Sequence, residues 1–379
     1  MLVDIPQVSE FLKAVKATVL DDVIDRLNYF WTVSLLCLCA LLIGAKQNFG
    51  EPIHCLISSD FTKEWIAYVH TFCFITGTYD YTDDKADLIR NHNYYQWVPF
   101  ILFAMALAFY VPHFVWRLLQ KSSQLDLKTA VKKAVAAREL VGESRQETIG
   151  KVVDYAKRYM NAPNFGLLGY NAHFGMYSSL TYLFSKLLNC VNVVAQIYLI
   201  NKYCARGDYW WGYTMLRSGL SMDNPANPNP FPRLTHCKFD FRDVGNTRSY
   251  ETDCVIMINI LNEKVFLLIW VWFHFVAFVT LANFIYSVVV IMVPSARYHV
   301  IANHLSLKGP KSDRYYEDGH GNKTNRHLDR FVYKVLSVDG VQLIRFIAAQ
   351  AGGLVAHEVT RGIYDAYLES RKPAVKAIE

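Results

Sequence analysis

Between Arg90 and Arg117 the chain runs for 26 residues without an Asp, Glu, Lys or Arg. A helix needs about 20 predominantly apolar residues to cross roughly 30 Å of hydrocarbon, so this run predicts a membrane span. Aromatic residues crowd its mouth in Tyr94-Tyr95-Gln96-Trp97-Val98-Pro99-Phe100, and rings with a polar tip favour the headgroup level. Pro99 falls in the first turn, where its missing N–H is harmless. Pro112 lies deep inside and is expected to bend the helix, with neighbouring helices satisfying the freed carbonyl.

Three more runs of this kind follow from the same reading, and with 53% hydrophobic residues the 379-residue chain reads as a polytopic membrane protein. The expected layout is an amphipathic N-terminal helix over 1–26, spans over 27–46, 94–118, 177–201 and 265–293, polar loops over 47–93, 119–176 and 202–264, and a tail over 294–379. Val8, Val15, Val19 and Val23 recur at helical spacing in the first of these. Asp4, Glu10, Asp21, Asp22 and Asp25 interrupt any apolar core there, so no cleavable signal peptide is expected. Asn224-Pro225-Ala226-Asn227-Pro228-Asn229-Pro230 excludes helix and central strand from its part of the long loop. The tail shows helical periodicity in Val332, Val335 and Leu336 and again from Leu343 to Ala351, predicting a helical domain.

Basic residues orient this layout. With both termini inside, 26 Lys and Arg fall on the cytoplasmic side against 11 outside, as the bias toward positive inner loops requires. Cys55 and Cys73 then share one outer loop and Cys237 and Cys254 the other, on the oxidising side. Four cysteines allow three pairings, and the residues alone do not choose among them. A cross-link between the loops is attractive because it would make them one stiff module. Cys37, Cys39 and Cys190 sit in apolar runs and read as inert packing residues.

In this setting the sequence resembles the innexins, the gap-junction proteins of invertebrates. Tyr94-Tyr95-Gln96-Trp97-Val98 matches the family's pentapeptide at the start of the second span. Phe231-Pro232-Arg233 leading to Cys237, Asn262-Glu263-Lys264 before the fourth span, and Asp339-Gly340-Val341 to Leu343-Ile344-Arg345 in the tail support the match. The resemblance implies an all-α four-span bundle per subunit, with disulfide-linked extracellular loops and a helical cytoplasmic domain, assembled into an octameric large-pore channel. It implies nested bridges, Cys55 with Cys254 and Cys73 with Cys237, and leaves Cys204 outside the pattern. It also implies co-assembly with other innexins, docking of hemichannels across the gap between cells, and an N-terminal arm folded into the cytoplasmic pore entrance.

A wide aqueous tube cannot select by stripping hydration, so rings of side chains and the narrowest point must set its selectivity. Met1, Leu2, Val3, Asp4, Ile5 and Pro6 are the pore-lining candidates, with Asp4 as an acidic ring or, equally, on the rim paired with Lys13 or Lys16 of a neighbour. The single Asn-x-Ser/Thr acceptor, Asn322-Lys323-Thr324, falls on the cytoplasmic side, which leaves the outer loops bare for docking. Lys186 inside the third span must find water, a partner or the headgroups, and snorkelling to the inner leaflet is the simpler account. His274 reads as a satisfied bundle histidine, while His54, His70, His92 and His113 are candidates for acid-driven closure. Enzyme motifs are missing: there is no Gly-x-Ser-x-Gly, no phosphate loop, and His357-Glu358 lacks a second histidine. No catalytic residue, metal ligand or cofactor site is expected. Acids interspersed in the tail's basic residues speak against nucleic acid. The competing readings are an unpaired plasma-membrane hemichannel and a non-conducting four-span adhesion or scaffold protein.

Overall fold

The computed structural model describes residues 20–58, 61–81, 89–92, 94–121, 126–160, 176–203, 208–217, 231–243, 245–305, 316–317, 323–324 and 326–371. Four helices among them are long and apolar enough to cross a membrane: Val23–Phe49, Val98–Lys121, Tyr177–Lys202 and Met257–Met292. On the second, Leu102, Ala106, Phe109, His113 and Trp116 are buried, while Leu107, Val111, Phe114 and Leu118 are exposed. Their spacing makes two opposite faces of one helix, one buried against the rest of the chain and one exposed.

The helices run past the expected spans where charges are paired. The helix that carries the first expected span, 27–46, starts at Val23, where Asp25 at its third position accepts the Asp22 backbone N–H at 3.3 Å, half of a capping box. Leu27–Thr32 of this helix is π-helical, and the Thr32 hydroxyl bridges Leu27 O at 2.8 Å and the Trp272 indole N–H at 3.0 Å. The fourth begins at Met257, eight residues before the expected span at 265, since Glu263 is fully buried against basic partners. Pro112 lies within one continuous helix, Val98–Lys121.

The chain packs as two compact units. One comprises Leu27–Val111 and Cys190–Val279; the other comprises the chain up to Arg26, Pro112–Asn189 and Thr280 onward. The first adds to the helices a five-stranded antiparallel sheet in the order β1-β5-β4-β2-β3. Its strands are β1 His54–Cys55, β2 Thr78–Tyr81, β3 Ile89–His92, β4 Leu234–Asp243 and β5 Asn246–Val255. Strands β4 and β5 pair from Leu234↔Val255 to Asp243↔Asn246, and Gly245, at φ +82°, turns the hairpin. A helix, Lys63–Thr76, accompanies this sheet. The chain is mostly helical as expected, and segments read as polar loop supply the sheet.

The second unit is helical. Leu127–Glu139 and Glu143–Met160, from the loop between the second and third spans, join Pro294–Leu305, Ser337–Ala351 and Gly353–Arg371 of the tail. Ala130, Ala134, Val152, Phe331, Ile344, Ile347 and Val359 are among the buried residues of their common core. Asp126 caps the first helix by accepting Thr129 N–H at 3.0 Å.

Candidate functional site

The sheet unit is organised by two disulfides. Cys55 and Cys254 are directly opposed on β1 and β5 and bonded to each other, Cα atoms 3.9 Å apart. Cys73, on the helix Lys63–Thr76, is bonded to Cys237 on β4, Cα atoms 5.9 Å apart. The sulfurs of Cys55, Cys73 and Cys254 lie within 4.8 Å of one another, so the two bridges are adjacent. They span 199 and 164 residues and restrict the unfolded chain accordingly. Around them Phe239 stacks on Tyr250 at 5.7 Å and Phe241 meets Trp65 at 4.9 Å. Tyr79 donates its hydroxyl to Glu251 at 2.6 Å across strands.

The pentapeptide at the second span supports this unit from below in sequence order. Tyr94–Gln96 form a single 3-10 turn ahead of the helix. The Gln96 amide donates to Ile75 O at 3.0 Å and also to Phe74 O, satisfying carbonyls at the C-terminus of Lys63–Thr76 that have no partner within that helix. Tyr95 is fully buried, its ring 5.2 Å from Phe74. Trp97 turns outward, 62% exposed, and Val98 inward. Pro99 follows in the first turn of the helix.

Two other segments quoted for the resemblance meet in space. The Arg233 guanidinium donates to Glu263 at 2.8 and 3.2 Å, and Lys264 reaches the other carboxylate oxygen at 3.1 Å. Asn259 donates to Pro232 O at 2.8 Å, and Phe231 stacks on Phe266 at 5.3 Å. These contacts join the entry to β4 with the start of the fourth long helix.

In the helical unit the tail segment quoted for the resemblance finds its purpose. Asp339, with no exposed surface, accepts Ser179 N–H at 2.8 Å, Ser179 Oγ–H at 2.7 Å and Ser178 N–H at 3.2 Å. It thereby holds the N-terminus of the helix Tyr177–Tyr203, where negative charge is favoured. Arg145 and Glu358 form a two-pronged pair at 3.0 and 3.1 Å.

Lys186 does not snorkel. It is 2% exposed and bonds Asp25 at 2.7 Å and Asp22 at 3.1 Å. Tyr182 donates its hydroxyl to the same Asp22 carboxylate. The expectation failed because the partners lie more than 160 positions away, invisible to local spacing. His274 is hydrogen-bonded, through Trp270 O of its own helix at 2.8 Å, and is exposed on the surface of the chain. His113 is buried 3.8 Å from Asp21, and His54 pairs with Glu51 at 2.8 Å. His70 is within 3.4 Å of Cys55 O. Met1 to Pro6, Lys13, Lys16, Cys204, Asn224 to Pro230 and Asn322 lie outside the described residues, as does the side chain of His92.

Four helices long and apolar enough to cross a membrane, with a disulfide-tied sheet formed by the segments that join them, define a polytopic membrane protein. The Innexin family profile matches residues 21–367. The chain is 31% identical to Innexin unc-9 of Caenorhabditis elegans over 95% of its length and 96% of that protein's. It is 29% identical to Innexin-3 of the same nematode over 97% and 89%. Against Innexin inx3 of Drosophila melanogaster the figures are 30% identity over 78% and 76%. The chain belongs to the innexin family. It is therefore a gap-junction channel protein of the membrane, from a family of channels rather than of enzymes.

Proposed function

We propose that the chain assembles, with copies of itself or with other innexins, into an octameric hemichannel. Both termini are cytoplasmic, and the sheet unit faces the gap and docks against a hemichannel of the neighbouring cell. The observation that carries this reading is the pair of adjacent disulfides, Cys55–Cys254 and Cys73–Cys237. Such bridges persist on the oxidising face of a membrane, and here they stiffen the surface that would have to present a fixed shape to its counterpart. Rigidity before contact lowers the ordering entropy that docking must overcome.

The segment 1–26 forms the inner pore entrance, with Met1 to Pro6 at its narrowest point and Asp4 as an eightfold acidic ring. The first span and the segment 47–93 continue the wall, and lipid covers the exposed apolar faces such as Leu107, Val111, Phe114 and Leu118. Ions and small molecules pass between cells along this path. Paired cells expressing the chain should show junctional conductance that Cys73→Ser abolishes, and an epitope at Ala226, but not one at Glu379, should label in intact single cells. Surface expression without coupling, or labelling at Glu379 alone, refutes the reading.

A further inference from the structure

We infer that Lys186 is a positioning residue for permeation: with Asp22, Asp25 and Tyr182 it clamps the point at which the N-terminal segment enters the membrane domain. Residues 20–25 are held from three elements besides their own. Leu20 is 3% exposed within the helical core. The Asp21 carbonyl accepts the Gln350 amide of the tail at 3.1 Å, and the Asp21 carboxylate lies 3.8 Å from His113 of the second span. Lys186 and Tyr182 of the third span hold Asp22, and Lys186 alone holds Asp25. Asp25 in turn caps the Asp22 N–H, so the ammonium fixes the first turn of the first spanning helix directly.

A buried lysine bonded to two carboxylates is a poor source of stability, since removing three charges from water opposes their attraction. Its strength is geometric, because the directions of the bonds permit one arrangement of the turn and alternatives leave a charge unpaired. In an assembly this arrangement recurs in every subunit, so the chain at Leu20 is fixed at the same place in each copy. The inference rests on the proposal that this segment forms the narrowest part of the pore. Tail and spans thereby acquire a mechanical path to the pore entrance through Gln350, His113 and Lys186.

Single-channel recordings on the full chain test this. Lys186→Met should change the open-to-closed ratio on the order of tenfold, the scale of a typical coupling between distant sites. Lys186→Met combined with Asp25→Asn should return most of the change, and Lys186→Arg should preserve wild-type gating. Unaltered unitary conductance and open ratio in Lys186→Met at matched surface density overturn the inference, as does a double variant no better than the single. If Lys186→Met fails to reach the surface, Asp22→Asn leaves the Asp25 bond in place and should shift the ratio less, in the same direction; no shift overturns the clamp. Asp4→Asn separates this from the pore-entrance reading. An altered conductance in Asp4→Asn beside an inert Lys186→Met removes the clamp alone, whereas silence in both removes the clamp and the pore entrance together. If the Asp4→Asn effect is the same with and without Lys186→Met, the clamp does not act through the N-terminal segment, and the inference falls.

Discussion

Replacing Asp339 by alanine should be among the most damaging single changes in the helical unit. The carboxylate receives three hydrogen bonds at 2.7, 2.8 and 3.2 Å and has no exposed surface. Loss of an ordinary N-cap costs about 1 kcal/mol. Here two backbone N–H groups would be left in a buried site, at roughly 1–3 kcal/mol each, while the Ser179 hydroxyl can rotate toward another acceptor. Desolvation of the carboxylate itself offsets part of this, which puts the net loss at about 3 kcal/mol. For a unit of this size that corresponds to a fall of about 6–12 °C in the unfolding midpoint. Asp339→Asn keeps one acceptor oxygen and should fall about half as far. Ser179→Ala should be less than additive with Asp339→Ala by about 1 kcal/mol, because they share a bond. Intrinsic fluorescence of the detergent-solubilised protein on heating reads all three. A midpoint for Asp339→Ala within about 1 °C of wild type, or full additivity with Ser179→Ala, refutes the reasoning.

Three further outcomes follow from single contacts. Arg233→Met takes the guanidinium from the buried Glu263, which Lys264 still contacts, and should destabilise by about 2–4 kcal/mol, whereas Glu263→Gln should be milder because it removes the buried charge; thermal midpoints compare them. Gly212→Ala would put a methyl carbon 2.4 Å from the Trp270 ring, forcing a shift worth about 1–3 kcal/mol, readable as a lower melting temperature. Burial and then His357 hold His304 below the usual histidine range. The unfolded chain therefore takes up this proton first, so the stability its neutral ring confers is present above about pH 6.5 and lost as pH falls through the folded value. His304→Gln should flatten the pH dependence of unfolding between neutral and mildly acidic solution; an unchanged slope contradicts it.

The spans were legible because absence of charge over 20 or more residues has few other causes, and the sheet was not, although its signal was present. Thr235, Cys237 and Phe239 are buried while Leu234, Lys238 and Asp240 are exposed, a period of two that is hidden when the whole segment is read as polar loop. The motif residues were recognisable as a string, but their purposes are three-dimensional: Gln96 caps a helix that ends twenty positions earlier, at Thr76, and Arg233 answers a glutamate thirty positions later. Lys186 marks the limit most sharply. Its rarity inside a span flagged it, while its partners lie more than 160 positions away near the start of the chain, beyond anything that spacing can reveal.

The nested bridges make residues 55–254 a covalent macrocycle with a smaller one, 73–237, inside it. A protease that cuts once anywhere in the inner ring, for example between the two helices near Val141, severs the backbone without separating the fragments. The clipped protein should migrate as a single species until a reductant is added, then fall into two pieces. Limited nicking of the middle segment would thus leave both halves of the molecule, with two spans each, tethered through the sheet.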